Sequence, residues 1–530
     1  MISRPGISKH AATALIVGLA LTASACGGSD GGGSGGGAKG KEGTKTGKVR
    51  EGGRLVVGQT QPISQIDPNT INAATQQQLM TLLWNGLTKW GPGDTTEPDL
   101  ATSWKSDADY KNWTFKLRDG VKFHDGSAFT ADDAVKNINR ILEPKTGAQV
   151  RAKLAMIDKA TAEGKDTLKL KLKEGNPNLP TALIELKMTD VDDIKTVNKT
   201  ANGTGPFKLT KFVPDQTVDL ARNDAYWGTK AHLKSIRFAR YADPTAAETA
   251  FRSGEVHVLY DVPADSANTL QGAGNAQVIE PKVASSAAAW ELDTQSEPFD
   301  DPRARQALSY AVDRKAMLDA AYGGHGVANT TNTIVNPDSR YAADSGLKTY
   351  KYDLQKAKKL FAAAGVKSGD KLTFWTSSGY PSWQTMGEVL QSSLQEIGIK
   401  LEIKKAELAT WSAKFYPAPK KFPGMIVANY LSFPNLPATY SLVWFGKDGT
   451  CECKWKAPDA YNKAVTTFES TDDDKVRGPA YDEAQRILSK ESPIVVIGNT
   501  AWISVAQPQI RNVWAQGDGA VHLESAGFAK

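Results

Sequence analysis

From Trp113 to Arg118 apolar and polar residues alternate strictly, with Trp113, Phe115 and Leu117 on one side and Thr114, Lys116 and Arg118 on the other. A period of two marks a half-buried strand. Asp119-Gly120 is a turn signal, and Val121 and Phe123 read as the returning strand of a hairpin. Asp125-Gly126 marks the next turn. Thr130 with Asp133 three residues on forms a capping box, ahead of a helix expected to turn Val135, Ile138 and Leu142 inward. His124 and Asp125 therefore stand where strand meets turn. Adjacent residues on a strand face opposite ways, so the pair is expected to be a structural corner and not a His–Asp dyad.

Elsewhere the period changes back and forth between two and 3.6. Gly53–Gln59 reads as a strand, and Ala74–Trp90 as a helix through Leu79, Leu82, Leu83 and Leu87. Asp300–Gly323 reads as a helix with Pro302 in its first turn, where proline is tolerated. Asp353–Gly365 has an N-cap in Asp353 and a terminal glycine. Met386–Lys405 and Pro479–Gly498 each read as helix followed by strand. The fold class is α/β, and 530 residues require more than one lobe.

The N-terminus reads differently. Arg4, Lys9 and His10 precede an apolar run, Ala11 to Ala25, that is too short to span a bilayer and fits a secretory signal over residues 1–25. Ala23–Cys26 resembles a lipobox, which makes Cys26 the expected lipidation site. Residues 26–50 are rich in glycine and hold no large apolar side chain, so they are expected to be a flexible tether reaching roughly 25–30 Å. The expected location is the outer face of a bacterial cell membrane, held by lipid. In that oxidising setting Cys451 and Cys453 are expected to pair as a small disulfide loop.

Charge and motif content exclude several functions. A formal net charge of +6 is too mild for a nucleic-acid binder. His10, His124, His232, His257, His325 and His522 are scattered, without metal-ligand spacing, so no metal and no cofactor is expected. Ser368–Lys371 fits an S-x-x-K pattern, but both K-T-G triplets (Lys45–Gly47 and Lys145–Gly147) precede it, the reverse of the order penicillin-recognising enzymes need. An enzyme is therefore not expected.

The motifs taken in order resemble family 5 extracellular solute-binding proteins, the peptide- and nickel-type binding components of ABC importers. They are PDLATSW (98–104), the stretch from Trp113 to Val135, Arg140, GTGPFKL (203–209), RNDAYWG (222–228), FRSGEVHV (251–258), PFDDPRARQALSYAVDR (298–314), YDLQKAKKLFAAAG (352–365), LQEIGIKL (394–401) and AQRILSKESPIVV (484–496). The resemblance implies a periplasmic-binding-protein-like clamshell. Lobe I would comprise 51–83, 203–283 and 498–530, an extra domain 84–202, and lobe II 284–497. The implied partners are an ABC permease and ATPase, with a monomeric binding protein delivering an oligopeptide or other small solute. A neutral oligosaccharide ligand, or a receptor that only senses, are the alternatives.

In the dipeptide-binding branch of that family an Asp takes the ligand's amino terminus and an Arg its carboxylate. The similar segments here, Gly424–Gly446 and Phe374–Gln391, hold no Arg or Lys, and Glu388 is their one acid. They offer Trp375, Tyr380, Trp383, Tyr430, Phe433 and Trp444, with Asn429 and Asn435, and Gln61 lies just past the first strand. This set is expected to line the cleft and to suit a longer or less charged ligand, held by stacking and backbone hydrogen bonds.

Overall fold

The computed structural model describes residues 43–530 except 71–73, 92–94, 149, 282, 338–341, 344, 379, 416–423, 432–441, 443, 447–452, 501 and 518. Among the described residues two large mixed sheets form the centres of two lobes. The lobe I sheet runs in the order Gln277–Ile279, Ser504–Ala506, Val258–Leu259, Arg54–Gln59, Ser235–Arg240, Thr217–Arg222, Phe207–Val213. The lobe II sheet runs Val327–Ala328, Ile494–Thr500, Ser286–Leu292, Met425–Leu431, Lys371–Ser377, Lys400–Ala406. The chain leaves the first sheet after Ile279, enters the second at Ser286, and returns between Thr500 and Ser504. Gly498, the expected point of return, is still paired with Ala288 and Ala328 inside lobe II.

The neighbouring lobe II strands Ser286–Leu292 and Ile494–Thr500 are buried on both faces. Alternation divides their side chains between two cores. Trp290, Leu292, Val495 and Ile497 join Phe374 and Trp383, whereas Ala287, Ala289, Ile494 and Val496 join Tyr461, Phe468 and Leu488. Helices thus cover both faces, as a near-continuous apolar strand requires.

A third core, from Leu87 to Met188, belongs to the extra domain. Its antiparallel sheet has the order Ala101–Ser106, Asn112–Leu117, Thr167–Leu172, Ile157–Glu163. The alternation at Trp113, Phe115 and Leu117 is real, and all three are buried. The expected hairpin is not. Asn112–Leu117 pairs with Ala101–Ser106 and Thr167–Leu172, while residues 121–123 only close a tight loop through a Lys122–Ala128 bridge. The capping box at Thr130 and Asp133 is present on the helix Ala131–Leu142. Its buried face is Ala131, Ala134, Ile138 and Ile141, with Val135 and Leu142 only partly covered.

Three further expectations need correction. The helix from Ala74 stops at Leu83, before Trp84-Asn85-Gly86. The segment 300–323 is two helices, Pro302–Tyr310 and Arg314–Tyr322, because Asp313 caps the second by accepting from the Ala316 amide. Residues 43–50, expected to be tether, are paired with the C-terminal segment: Gly43 bridges Trp514, Val49 bridges Ala529, and the Thr44 amide donates to Val513 at 2.8 Å.

Candidate functional site

Parallel strands present their carboxyl ends to the crevice between the lobes, the usual place for a ligand in α/β sheets. On lobe I, Arg54–Gln59, Ser235–Arg240 and Val258–Leu259 are parallel, and Gln61 and Asp261 lie two residues past the ends of the first and third. On lobe II, Lys371–Ser377 and Lys400–Ala406 are parallel, and the first leads to Tyr380 at the start of the helix Pro381–Glu396. Burial, then the charge of Asp261, pushes the Tyr380 phenol above its ordinary range.

The aromatic side chains form a graded wall. Tyr380 stacks on Trp383 with ring centroids 4.2 Å apart and planes at 22°. Trp383 is 2% exposed and packs on Trp411, which packs on Phe415. Trp383 is therefore the floor beneath Tyr380 and not an open surface. Trp375 lies mid-strand against Phe415, with the Lys404 and Lys414 ammonium groups over its ring. Trp444 packs on Phe445 and the second lobe II core. Gln61 is exposed, and its carbonyl accepts from the Gln59 side chain at 2.8 Å. Asn429 and Tyr430 sit on the strand Met425–Leu431, with side chains outside the description. Phe433, Asn435, Cys26 and Cys451 lie outside the described residues. Cys453 is disulfide-bonded.

Asp261 is a half-buried acid at the lobe I strand ends that the sequence reading did not single out. It follows the strand Val258–Leu259 by two residues and adopts a left-handed backbone, φ 56°. Its carboxylate makes no hydrogen bond or ion pair among the described residues, and burial pushes its pKa up to about 6. The available signal was an acid between the strand end Leu259-Tyr260 and Pro263, at the edge where ligands bind.

The lobes also touch on either side of this wall. Near the chain crossings, Asn268 donates to the Gly323 carbonyl at 3.0 Å and accepts from His325 at 3.0 Å, while the other His325 nitrogen meets Glu280 at 2.8 Å. On the extra-domain side, Tyr110 bonds Asp472 and Arg477 donates to Asn178 at 3.1 Å.

His124 lies outside this region and is a corner. Its ring nitrogens contact the carbonyls of Ala201 and Gly205 at 3.3 and 3.1 Å, and burial pushes the imidazole down to about 4. Asp125 turns away to accept from Ser127. The loop that His124 grips is the GTGP motif, where a Cβ on Gly203 or Gly205 would overlap a backbone carbonyl at the end of the helix Ala74–Leu83. A cavity of about 450 Å³ lined by Trp84, Lys187, Tyr226 and His522 sits at the amino-terminal end of the lobe I strands, opposite the crevice. Among the described residues no three His, Cys, Asp or Glu side chains gather to hold a metal, and no helix is long and apolar enough to cross a membrane.

Residues 95–450 match the sequence profile of the bacterial extracellular solute-binding proteins, family 5, middle region. A putative ABC transporter peptide-binding protein of Brucella ovis is 30% identical over 337 residues, 60% of this chain and 62% of that protein, so the match spans under two thirds of that relative. The dipeptide-binding protein of Escherichia coli is 25% identical over 503 residues, 84% of this chain and 89% of that one. The crystal structure of the ABC transporter substrate-binding protein CtaP from Listeria monocytogenes superimposes with a TM-score of 0.80 at 23% identity, covering 91% of this chain and all of that one.

Proposed function

The chain belongs to family 5 of the bacterial extracellular solute-binding proteins, and from that premise we propose that it captures oligopeptides between its two lobes and delivers them to an ABC permease driven by an ATPase. The observation that supports this reading is the crevice itself, where the carboxyl ends of parallel strands from both sheets face an aromatic wall built on Tyr380 and Trp383. A ligand seated there touches both lobes only when they are closed. It therefore binds the closed form better and shifts the population toward it. That differential affinity is what a permease reads. The same reading includes export by the signal over residues 1–25, lipidation at Cys26, and a monomeric protein at the outer membrane face.

Calorimetry against a dipeptide, a pentapeptide pool with randomised side chains and a panel of neutral oligosaccharides tests the ligand class. Heat of binding with the pentapeptides and none with the sugars is the expected result. Saturable binding of a sugar alone would reverse it.

A further inference from the structure

The cavity of about 450 Å³ opposite the crevice is walled by three parts of the chain: the extra domain through Lys187, lobe I through Tyr226 and Trp227, and the C-terminal segment through Trp514. Its volume lies within the roughly 300–1,000 Å³ usual for small-molecule sites. Lys187 is 8% exposed, yet among the described residues its ammonium makes no hydrogen bond or ion pair. The backbone fixes it there: Gly86 pairs with Lys187 across the junction, and the Met188 amide donates to the Asn85 carbonyl at 2.9 Å. The acids lining the cavity, Asp99, Glu185 and Glu524, are already engaged. Asp99 accepts from the Asn85 side chain at 3.1 Å and from the Gly86 amide at 3.0 Å, Glu185 pairs with Lys153 at 2.7 Å, and Glu524 with His522 at 3.3 Å. They act on Lys187 only at a distance, and burial holds its ammonium below the ordinary range. A cation withdrawn from water without a partner is unfavourable, so the complement of this cavity is an anion.

The rest of the wall selects which anion. Tyr226 and Trp227 pack together with ring centroids 5.2 Å apart, and Trp514 stacks on His522 at 3.8 Å with planes at 5°. All three aromatic side chains are only partly buried, so a flat apolar body laid against them would complete their burial. One buried ammonium matches one negative charge. A dianion would leave its second charge beside Asp99, Glu185 and Glu524.

We propose that this cavity is a second ligand site, which takes a small aromatic monocarboxylate with its carboxylate on Lys187 and its ring against the aromatic wall. The ligand ties the extra domain to lobe I and to the C-terminal segment. Its place opposite the crevice leaves the crevice free, so the site stands whether or not the crevice takes peptides.

Calorimetry on the full chain tests this with phenylacetate, 3-phenylpropionate and 2-naphthoate, each beside its neutral primary amide. At least one carboxylate should bind saturably, and about tenfold or more tighter than its amide, the least that a hydrogen bond between charged groups contributes. Lys187→Met should lose that binding. It should also melt no lower than wild type, because it removes a buried charge that has no partner in the free protein. Tyr380→Ala, in the crevice, should bind the carboxylate as wild type does. No saturable binding, equal affinity for acid and amide, or unchanged binding by Lys187→Met overturns the proposal. So does loss of binding in Tyr380→Ala, which would place the carboxylate in the crevice, or a lower melting temperature of Lys187→Met, which would make the ammonium a structural group.

Discussion

The Tyr110 hydroxyl donates to Asp472 at 2.5 Å, joining the extra domain to lobe II across 362 residues of sequence. Tyr110 adopts φ 53° to reach it, and the hydrogen bond to Asp472 is the first cause of its raised pKa. The bond lies apart from the chain crossings, so it must break if the lobes open. Tyr110→Phe keeps the ring beside Trp113 and removes only the donor. An exposed bond of this kind contributes about 1 kcal/mol or less, so pentapeptide affinity should fall by about two- to fivefold. The ligand-free protein should also show a larger radius of gyration in small-angle scattering. An unchanged affinity together with an unchanged radius would mean that the bond does not stabilise closure.

His124 sets a pH window. Its imidazole stays neutral in the fold down to about 4, against an ordinary value of 6.5. Below 6.5 the unfolded chain binds a proton that the folded chain refuses, so this contribution is complete above pH 6.5 and is lost as pH falls toward 4. The loss is up to about 3 kcal/mol. Asp261 acts in the opposite sense, since its raised carboxyl binds a proton first in the folded state. Comparing wild type with His124→Gln cancels that term. Wild type should be the more stable of the two at pH 7, and urea midpoints should show the gap narrowing by pH 4.5. A gap independent of pH would show that the ring is not held neutral.

What could be read along the chain was whatever depends on neighbours in sequence. Asp353 caps its helix by accepting from Lys356, and the Thr130 box closes as its spacing requires. The missing hairpin shows where that legibility ends. Residues 112–117 had a turn signal and a plausible return strand beside them, yet they pair with 167–172, because those residues complete a sheet whose other face is covered by the helix Ala131–Leu142. Partner choice is a property of the sheet and not of the turn. The ordering of residues 43–50 by strand-like pairing with the far C-terminus was illegible for the same reason. Asp261 was hidden differently, since its left-handed backbone and raised pKa are properties of the folded surroundings and not of its neighbours in sequence.

The proposed anchoring rests on the apolar run that ends at Cys26. Cys26→Ser would remove the proposed lipid acceptor and leave the folded body untouched. The variant should move from the membrane to the soluble fraction with an unchanged melting temperature. Retention on membranes after a high-salt wash would assign the anchor to something other than this thiol.

The extra domain that carries Tyr110 is joined to lobe I through a charged pair. Arg140, on the helix Ala131–Leu142 of the extra domain, reaches into lobe I, where it pairs with Asp67 at 3.0 Å and also contacts Asn69. The two charged side chains are 16% and 12% exposed, so neither can be well hydrated if the other is removed. Breaking a buried pair from one side costs about 3–5 kcal/mol, most of it from the charge left behind. Arg140→Met should therefore be strongly destabilising, because it strands the Asp67 carboxylate. Asp67→Asn in the same chain removes that stranded charge, and the double variant should be more stable than Arg140→Met alone. Denaturant midpoints of the two single variants, the double variant and wild type give the coupling directly. Additive losses would mean that the two residues act independently and that the extra domain is held to lobe I by its apolar contacts alone.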